Sequence, residues 1–203
     1  MIALFLIVGA YVVGMIPNAY VLQVFLDKEK LGHVRSDKVG SYDVYTHIKE
    51  PEFYMTVMLD LFKGASVVFL ASQLSNQVAL PAFLLLVTVI ARNFNVIIGI
   101  RNGIGITIIL GGLLVYAPLI VLIYTVVVLV FYSGVHDLDT SLTLGTVVIP
   151  ITLAFTVDSL LVLLIGFALV MAIFVHKFLY IRAAAFRTRH ADHHRDNPFS
   201  HIK

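Results

Sequence analysis

The sequence contains no cysteine, which removes disulfide frameworks and thiolate chemistry from consideration. Charge is also scarce: 13% of the 203 residues are Asp, Glu, Lys or Arg, against roughly a quarter in a soluble domain. Hydrophobic residues make up 60% and the mean hydropathy is +0.97, leaving little room for a separate soluble domain. The first apolar run, residues 2 to 26, has no basic residues ahead of it and contains Pro17. It is about as long as a membrane span and reads as a retained segment rather than a cleaved signal.

What is present is apolar sequence in long runs, covering residues 2–26, 53–74, 78–100, 104–135 and 141–181. A helix needs about 20 residues to cross a bilayer, so the last two runs exceed one upright span. Gly111, Gly112 and Pro118 punctuate the first of these, Pro150 and Asp158 the second. Each is expected to hold one spanning helix plus a shorter broken or re-entrant piece. The expected fold class is all-α: a polytopic integral membrane helix bundle, five to seven transmembrane helices, forming one membrane domain over 1–203.

Basic residues mark the cytoplasmic side of a membrane protein. The segment 27–52 carries Lys28, Lys30, Arg35, Lys38 and Lys49, and the connection near 101 carries Arg101. The tail 182–203 carries Arg182, Arg187, Arg189, Arg195 and Lys203, whereas 75–77 and 133–140 have no Lys or Arg. With five crossings, this pattern puts the N-terminus and the connections 75–77 and 133–140 outside. It makes 27–52 a cytoplasmic loop and 182–203 a basic cytoplasmic tail. The spacing of His190, His193 and His194 matches no closed zinc site. A solvated tail drawn to anionic lipid headgroups, at roughly 1 kcal/mol per base, fits better.

Ionisable residues inside spans mark function by default. Asp60 and Lys63 in "DLFKG" stand three apart on one helical face. They read either as an internal ion pair with Lys63 snorkelling to headgroups, or as a lysine held by its carboxylate beside an anion site. "ARNFNV" brings Arg92, Asn93 and Asn95 together at the end of a span, suggesting a polar cleft. Asp158 in "DSLL" reads as a helix N-cap at a break. The stretch "IGIRNGIGITI", 98 to 108, is either a turn or a phosphate cradle, since glycines admit close backbone approach and backbone N–H groups bind phosphate.

Taken in order, these motifs resemble the bacterial acyl-phosphate:glycerol-3-phosphate acyltransferases. "AYVVGMIP", Ala10 to Pro17, is similar to that family's "AYLLGSIP", and "GSYDVYT" from Gly40 is similar to its "GSGNxGATN". "DLFKG", Asp60 to Gly64, reproduces "DxxKG". "ARNFNVIIGIRNGIGITI", Ala91 to Ile108, aligns without a gap on "GHxFPxFxxFKGGKGVAT". "HRDN", His194 to Asn197, is similar to "HRxN". The departures are Arg92 for the family histidine, Asn95 for its proline, Asn102 for a glycine and Ile104 for a lysine.

The resemblance implies transfer of an acyl group from acyl phosphate to glycerol 3-phosphate, giving lysophosphatidic acid. It implies Ser41, Lys63 and Asp43 near the reacting groups, with Asp43 a proton acceptor. Phosphate would be held by Arg101, Asn102, Gly103 and Gly105, with Arg92 and Lys38 as further cations. No cofactor, metal or nucleic acid is implied; the partners are the two substrates and membrane lipids, and a monomer is expected. The alternative is a catalytically degenerate relative that binds anionic lipid or scaffolds lipid-synthesis enzymes, which the replacements at Arg92 and Ile104 favour. A transporter ranks third, because no inverted repeat is visible.

Overall fold

Proline sets most of the points at which the helices stop. A computed structural model of the protein describes residues 2–18, 21–22, 50–95 and 105–195. Among these are eight helices: α1 (Ile2–Met15), α2 (Glu50–Leu74), α3 (Ala79–Asn93), α4 (Ile106–Tyr116), α5 (Pro118–Val135), α6 (Leu138–Gly145), α7 (Val148–Thr156) and α8 (Leu160–Arg195). The run 2–26 is therefore not one helix. Its α1 stops short of Pro17, as the restriction on the residue before proline requires, and Val21 N–H then donates to the Pro17 carbonyl at 3.0 Å. The loop expected over 27–52 is shorter than that span, since α2 begins at Glu50; residues 27–49 lie outside the described residues.

The run 104–135 divides at Ala117, an extended residue (φ −155°, ψ 77°), and Pro118 takes the first position of α5. There its missing N–H is not needed. The run 141–181 behaves differently from expectation. Pro150 has no N–H to reach the Thr146 carbonyl, so the chain turns at Thr146–Val147 without leaving its course. Thr146 Oγ1 donates to the Thr143 carbonyl there at 2.6 Å. The real break is at residues 157–159, and two full-length passes result: Leu138–Thr156, 19 residues, and Leu160–Arg182, 23 residues. The cap at this break is Ser159 rather than Asp158. Ser159 Oγ accepts from Val162 N–H at 3.5 Å, and its carbonyl accepts from Leu163 N–H at 3.1 Å.

Four passes are long and apolar enough to cross a membrane: Tyr54–Leu74, Pro118–Val135, Leu138–Thr156 and Leu160–Arg182. The shorter apolar helices α1, α3 and α4 pack among them. Counting α6 and α7 as one pass gives seven, the upper end of the expected range. α5 turns only Ile120, Tyr124 and Val128 inward, a four-residue repeat along one face. Its remaining apolar side chains, such as Leu122 and Val130, face outward as lipid-facing residues do.

Successive helices run in opposite directions between two ends. At one end Asn93 meets Gly105, Phe94 meets His176, and Asp139 meets Lys177. At the other end the Tyr116 hydroxyl donates to the Val78 carbonyl at 2.9 Å. α4 thus joins the two ends, and α5 returns to the first. The connection 133–140 therefore lies at the same end as Asn93, not opposite it as five crossings had implied. The centre is a close contact of α2 with α4, which run parallel: Asp60 meets Thr107 near one end and Ser72 lies beside Tyr116 near the other. A Cβ at Gly64 would collide with the Ile108 carbonyl, and one at Gly111 with the Leu61 carbonyl. Only glycine permits this approach.

Candidate active site

The buried face of α2 carries Thr56, Asp60, Lys63, Val67 and Ala71, spaced four, three, four and four residues apart. The lower two turns of this stripe pack in an apolar cluster with Ala10 and Leu84. The upper turns carry the polar groups, so helical periodicity alone turns both Asp60 and Lys63 inward. They are 1% and 8% exposed, so Lys63 does not snorkel to the surface. Nor do the two pair directly among the described residues. Asn18 Nδ2 donates to Asp60 Oδ1 at 2.7 Å and Thr107 Oγ1 to Asp60 Oδ2 at 3.4 Å. Lys63 Nζ donates to the Ile16 carbonyl at 2.7 Å. That carbonyl is available because α1 has just ended before Pro17.

A second group sits at the C-terminal end of α3. Arg92, in its last turn, complements the negative end of the helix dipole. Yet it is 7% exposed and its Nε has no hydrogen-bond partner among the described residues. Asn93 is 1% exposed, and neither its Nδ2 nor its Oδ1 has a partner among them. Asn95 Nδ2 donates to the Met15 carbonyl at 2.6 Å, tying α3 to the end of α1. Gly105, in the left-handed region (φ 63°), caps the N-terminus of α4 against Asn93 and Arg92. Lys63 is close enough to both Asp60 and Arg92 for their charges to act on it.

The site end of α8 adds His176, 1% exposed, edge-on to the Phe94 ring with centroids 6.1 Å apart. Beside it Lys177 pairs with Asp139 Oδ2 at 3.1 Å and donates to Thr143 Oγ1 at 2.9 Å. Two buried cations, an immobilised carboxylate and the unpaired Asn93 amide beside the N-terminus of α4 form a place suited to an anionic, hydroxyl-bearing molecule.

Of the residues expected from sequence, the structure brings together Lys63, Arg92 and Gly105. Ser41, Asp43, Lys38, Arg101, Asn102 and Gly103 lie outside the described residues. Sequence reading passed over Asn18, Thr107 and His176. The last carried a usable signal, an ionisable residue within an apolar run. Asn18 and Thr107 carried none, because their significance depends on Asp60, 42 and 47 residues away.

A family model described as glycerol-3-phosphate acyltransferase matches residues 4–185. The glycerol-3-phosphate acyltransferase of Wolinella succinogenes is 29% identical over 149 residues, covering 69% of this chain and 72% of that one. Glycerol-3-phosphate acyltransferase 1 of Desulfitobacterium hafniense is 28% identical over 120 residues, 59% of either chain. The enzyme of Desulforamulus reducens is 35% identical over 74 residues, 36% of its length. The matches thus span 59% and 36% of the length of these last two relatives. Two crystal structures of PlsY (YgiH), an integral membrane glycerol 3-phosphate acyltransferase, share the fold. Its glycerol 3-phosphate and lysophosphatidic acid forms give TM-scores of 0.77 and 0.75 at 21% identity, covering 92% of this chain and 93% of that one. Integral to the membrane, the chain belongs to the glycerol-3-phosphate acyltransferase family.

Proposed function

We propose that the protein transfers an acyl group from acyl phosphate to the 1-hydroxyl of glycerol 3-phosphate, giving lysophosphatidic acid for phospholipid synthesis. The observation that carries this reading is the buried Lys63 and Arg92 beside the Gly105 cap, in a chain of this family. The hydroxyl oxygen attacks the acyl carbon, the bond to the phosphate oxygen breaks, and phosphate leaves with the electron pair. The hydroxyl proton passes to Asp43 or to the departing phosphate. An acyl phosphate is already activated, so positioning and charge neutralisation are the main demands. Ser41 and Lys63 serve the reacting groups. Arg101, Asn102, Gly103 and Gly105 hold phosphate, with Arg92 and Lys38 as further cations.

The reaction is assigned to the cytoplasmic face, in one membrane domain with N-terminus outside and tail inside. Seven passes preserve the parity of five. Connections 75–77, 117 and 157–159 contain none of the 14 Lys and Arg residues, as the outer side requires.

The test is conversion of acyl phosphate and glycerol 3-phosphate to lysophosphatidic acid by the purified protein, abolished by Ser41→Ala. No conversion under conditions where a relative works would overturn the activity. The second reading, a non-catalytic binder of anionic lipid, draws on Arg92 and Ile104 standing where the family pattern has histidine and lysine. Binding of glycerol 3-phosphate that persists without turnover, weakened by Arg101→Ala, would select it.

A further inference from the structure

Asn93 stands at a position that the family motif leaves unspecified, yet it is among the most deeply buried polar residues of those described, 1% exposed. Both polar atoms of its amide lack partners among the described residues. The oxygen is aimed at the N-terminal end of α4: a Cβ built on Gly105 would sit 3.0 Å from Asn93 Oδ1 and 3.9 Å from Arg92 Cγ. The unpaired Nε–H of Arg92 belongs to the same corner. Buried amides normally have their hydrogen bonds made, so an amide unpaired at both polar atoms calls for an occupant.

The kind of occupant follows from the inventory of bonds. A dianionic phosphate offers acceptors only, and could use the amide N–H₂ and the Arg92 Nε–H but would be repelled by the amide oxygen. An alcohol both donates and accepts, and satisfies the two amide atoms together. We propose that Asn93 reads the secondary hydroxyl of the acceptor, the one that is not acylated, while the neighbouring cations hold its phosphate. This rests on the acceptor being glycerol 3-phosphate, and it makes Asn93 a specificity residue rather than part of the acyl-transfer machinery. A site built to hydrogen-bond a hydroxyl rejects the analogue that lacks it, because its own polar groups are then left unpaired.

The test compares glycerol 3-phosphate with 3-hydroxypropyl phosphate, which keeps the phosphate and primary hydroxyl but lacks the secondary one. Binding of each to the full-length protein in detergent is measured by calorimetry for the wild type, Asn93→Leu and Asn93→Asp, each checked for an unchanged melting profile. The wild type should prefer glycerol 3-phosphate by about 10-fold or more, and Asn93→Leu should bring the ratio near one. Asn93→Asp, which fills the same space but loses the donor, should fall between. A wild-type ratio near one, a ratio unmoved by Asn93→Leu, or no binding of either compound overturns the proposal. If Asn93→Leu fails to fold, the ratio in Asn93→Asp decides alone. Because the readout is binding, loss of turnover in the wild type would refute the acyltransferase reading without touching this one.

Discussion

The contact of α2 with α4 should be the least forgiving place in the protein. Gly64→Ala would drive a methyl group into the Ile108 carbonyl, and Gly111→Ala would do the same to Leu61. Both obstacles are backbone, so no rotamer change relieves them. The helices must separate by roughly 1.5 Å to restore an ordinary contact of about 3.5 Å. Overpacking of this kind costs about 2–3 kcal/mol, which lowers Tm by about 5–10 °C in a chain of this length. The separation also acts on chemistry, because Gly64 adjoins Lys63, and Ile108 adjoins Thr107, which donates to Asp60. Gly112→Ala meets only the Leu85 side chain, which can turn aside, and should cost less. Gly9→Ala and Gly134→Ala meet nothing within 4 Å and should be neutral, or stabilising by about 0.5–1 kcal/mol through helix propensity. Thermal unfolding in detergent across the five variants checks the ranking. Gly64→Ala melting with Gly9→Ala would refute the close approach.

Asn18→Leu removes the shortest hydrogen bond to the Asp60 carboxylate and should cost about 1.5–3 kcal/mol, read as a lower Tm together with lower kcat. Gly105→Ala must hold a left-handed φ, at about 1–2 kcal/mol, and should raise KM for glycerol 3-phosphate, with Gly105→Asn milder because asparagine tolerates that region. Asp137 caps α6 by accepting from Thr140 N–H at 3.0 Å, so Asp137→Ala should cost about 1 kcal/mol and Asp137→Asn much less. Its interactions with Thr140, side chain first and backbone next, hold the Asp137 carboxyl below its ordinary value. The folded pKa is thus the lower one, and the stabilisation is present above the unfolded pKa of about 4 and lost as pH falls through the folded value. The Tm advantage of wild type over Asp137→Asn should accordingly shrink below about pH 4.

What could be read from the sequence was whatever short-range periodicity determines. The three-residue spacing of Asp60 and Lys63 put both on one face, and Pro118 ended one helix and began another, as expected. What could not be read depended on pairings across the fold. Asp60 is held by Asn18 and Thr107 rather than by Lys63, and Lys63 by a carbonyl that Pro17 exposes. The side of the 133–140 connection was misjudged because α4, only 11 residues long, is too short to read as a pass by length. Its partners α2 and α3, rather than its own hydropathy, carry it from one end to the other. Pro150 was overweighted, since a proline in the first turn of a helix bends the path without ending it.

The depth of the site follows from two helices that have no sequence relation. Asp60 lies seven residues inside the apolar run 53–74, and His176 five residues inside the run that ends at residue 181. At 1.5 Å per residue they sit about 7–11 Å along their helices from the ends of those runs. On the proposed function, the reaction centre is thus a well set below the headgroups rather than a platform among them. A lipid-borne donor can present its activated carbon sideways with its tail still in hydrocarbon, while the small polar acceptor makes the vertical descent. At that depth mobile ions screen little, so the attraction between the buried cations and an anionic acceptor should change only modestly with ionic strength.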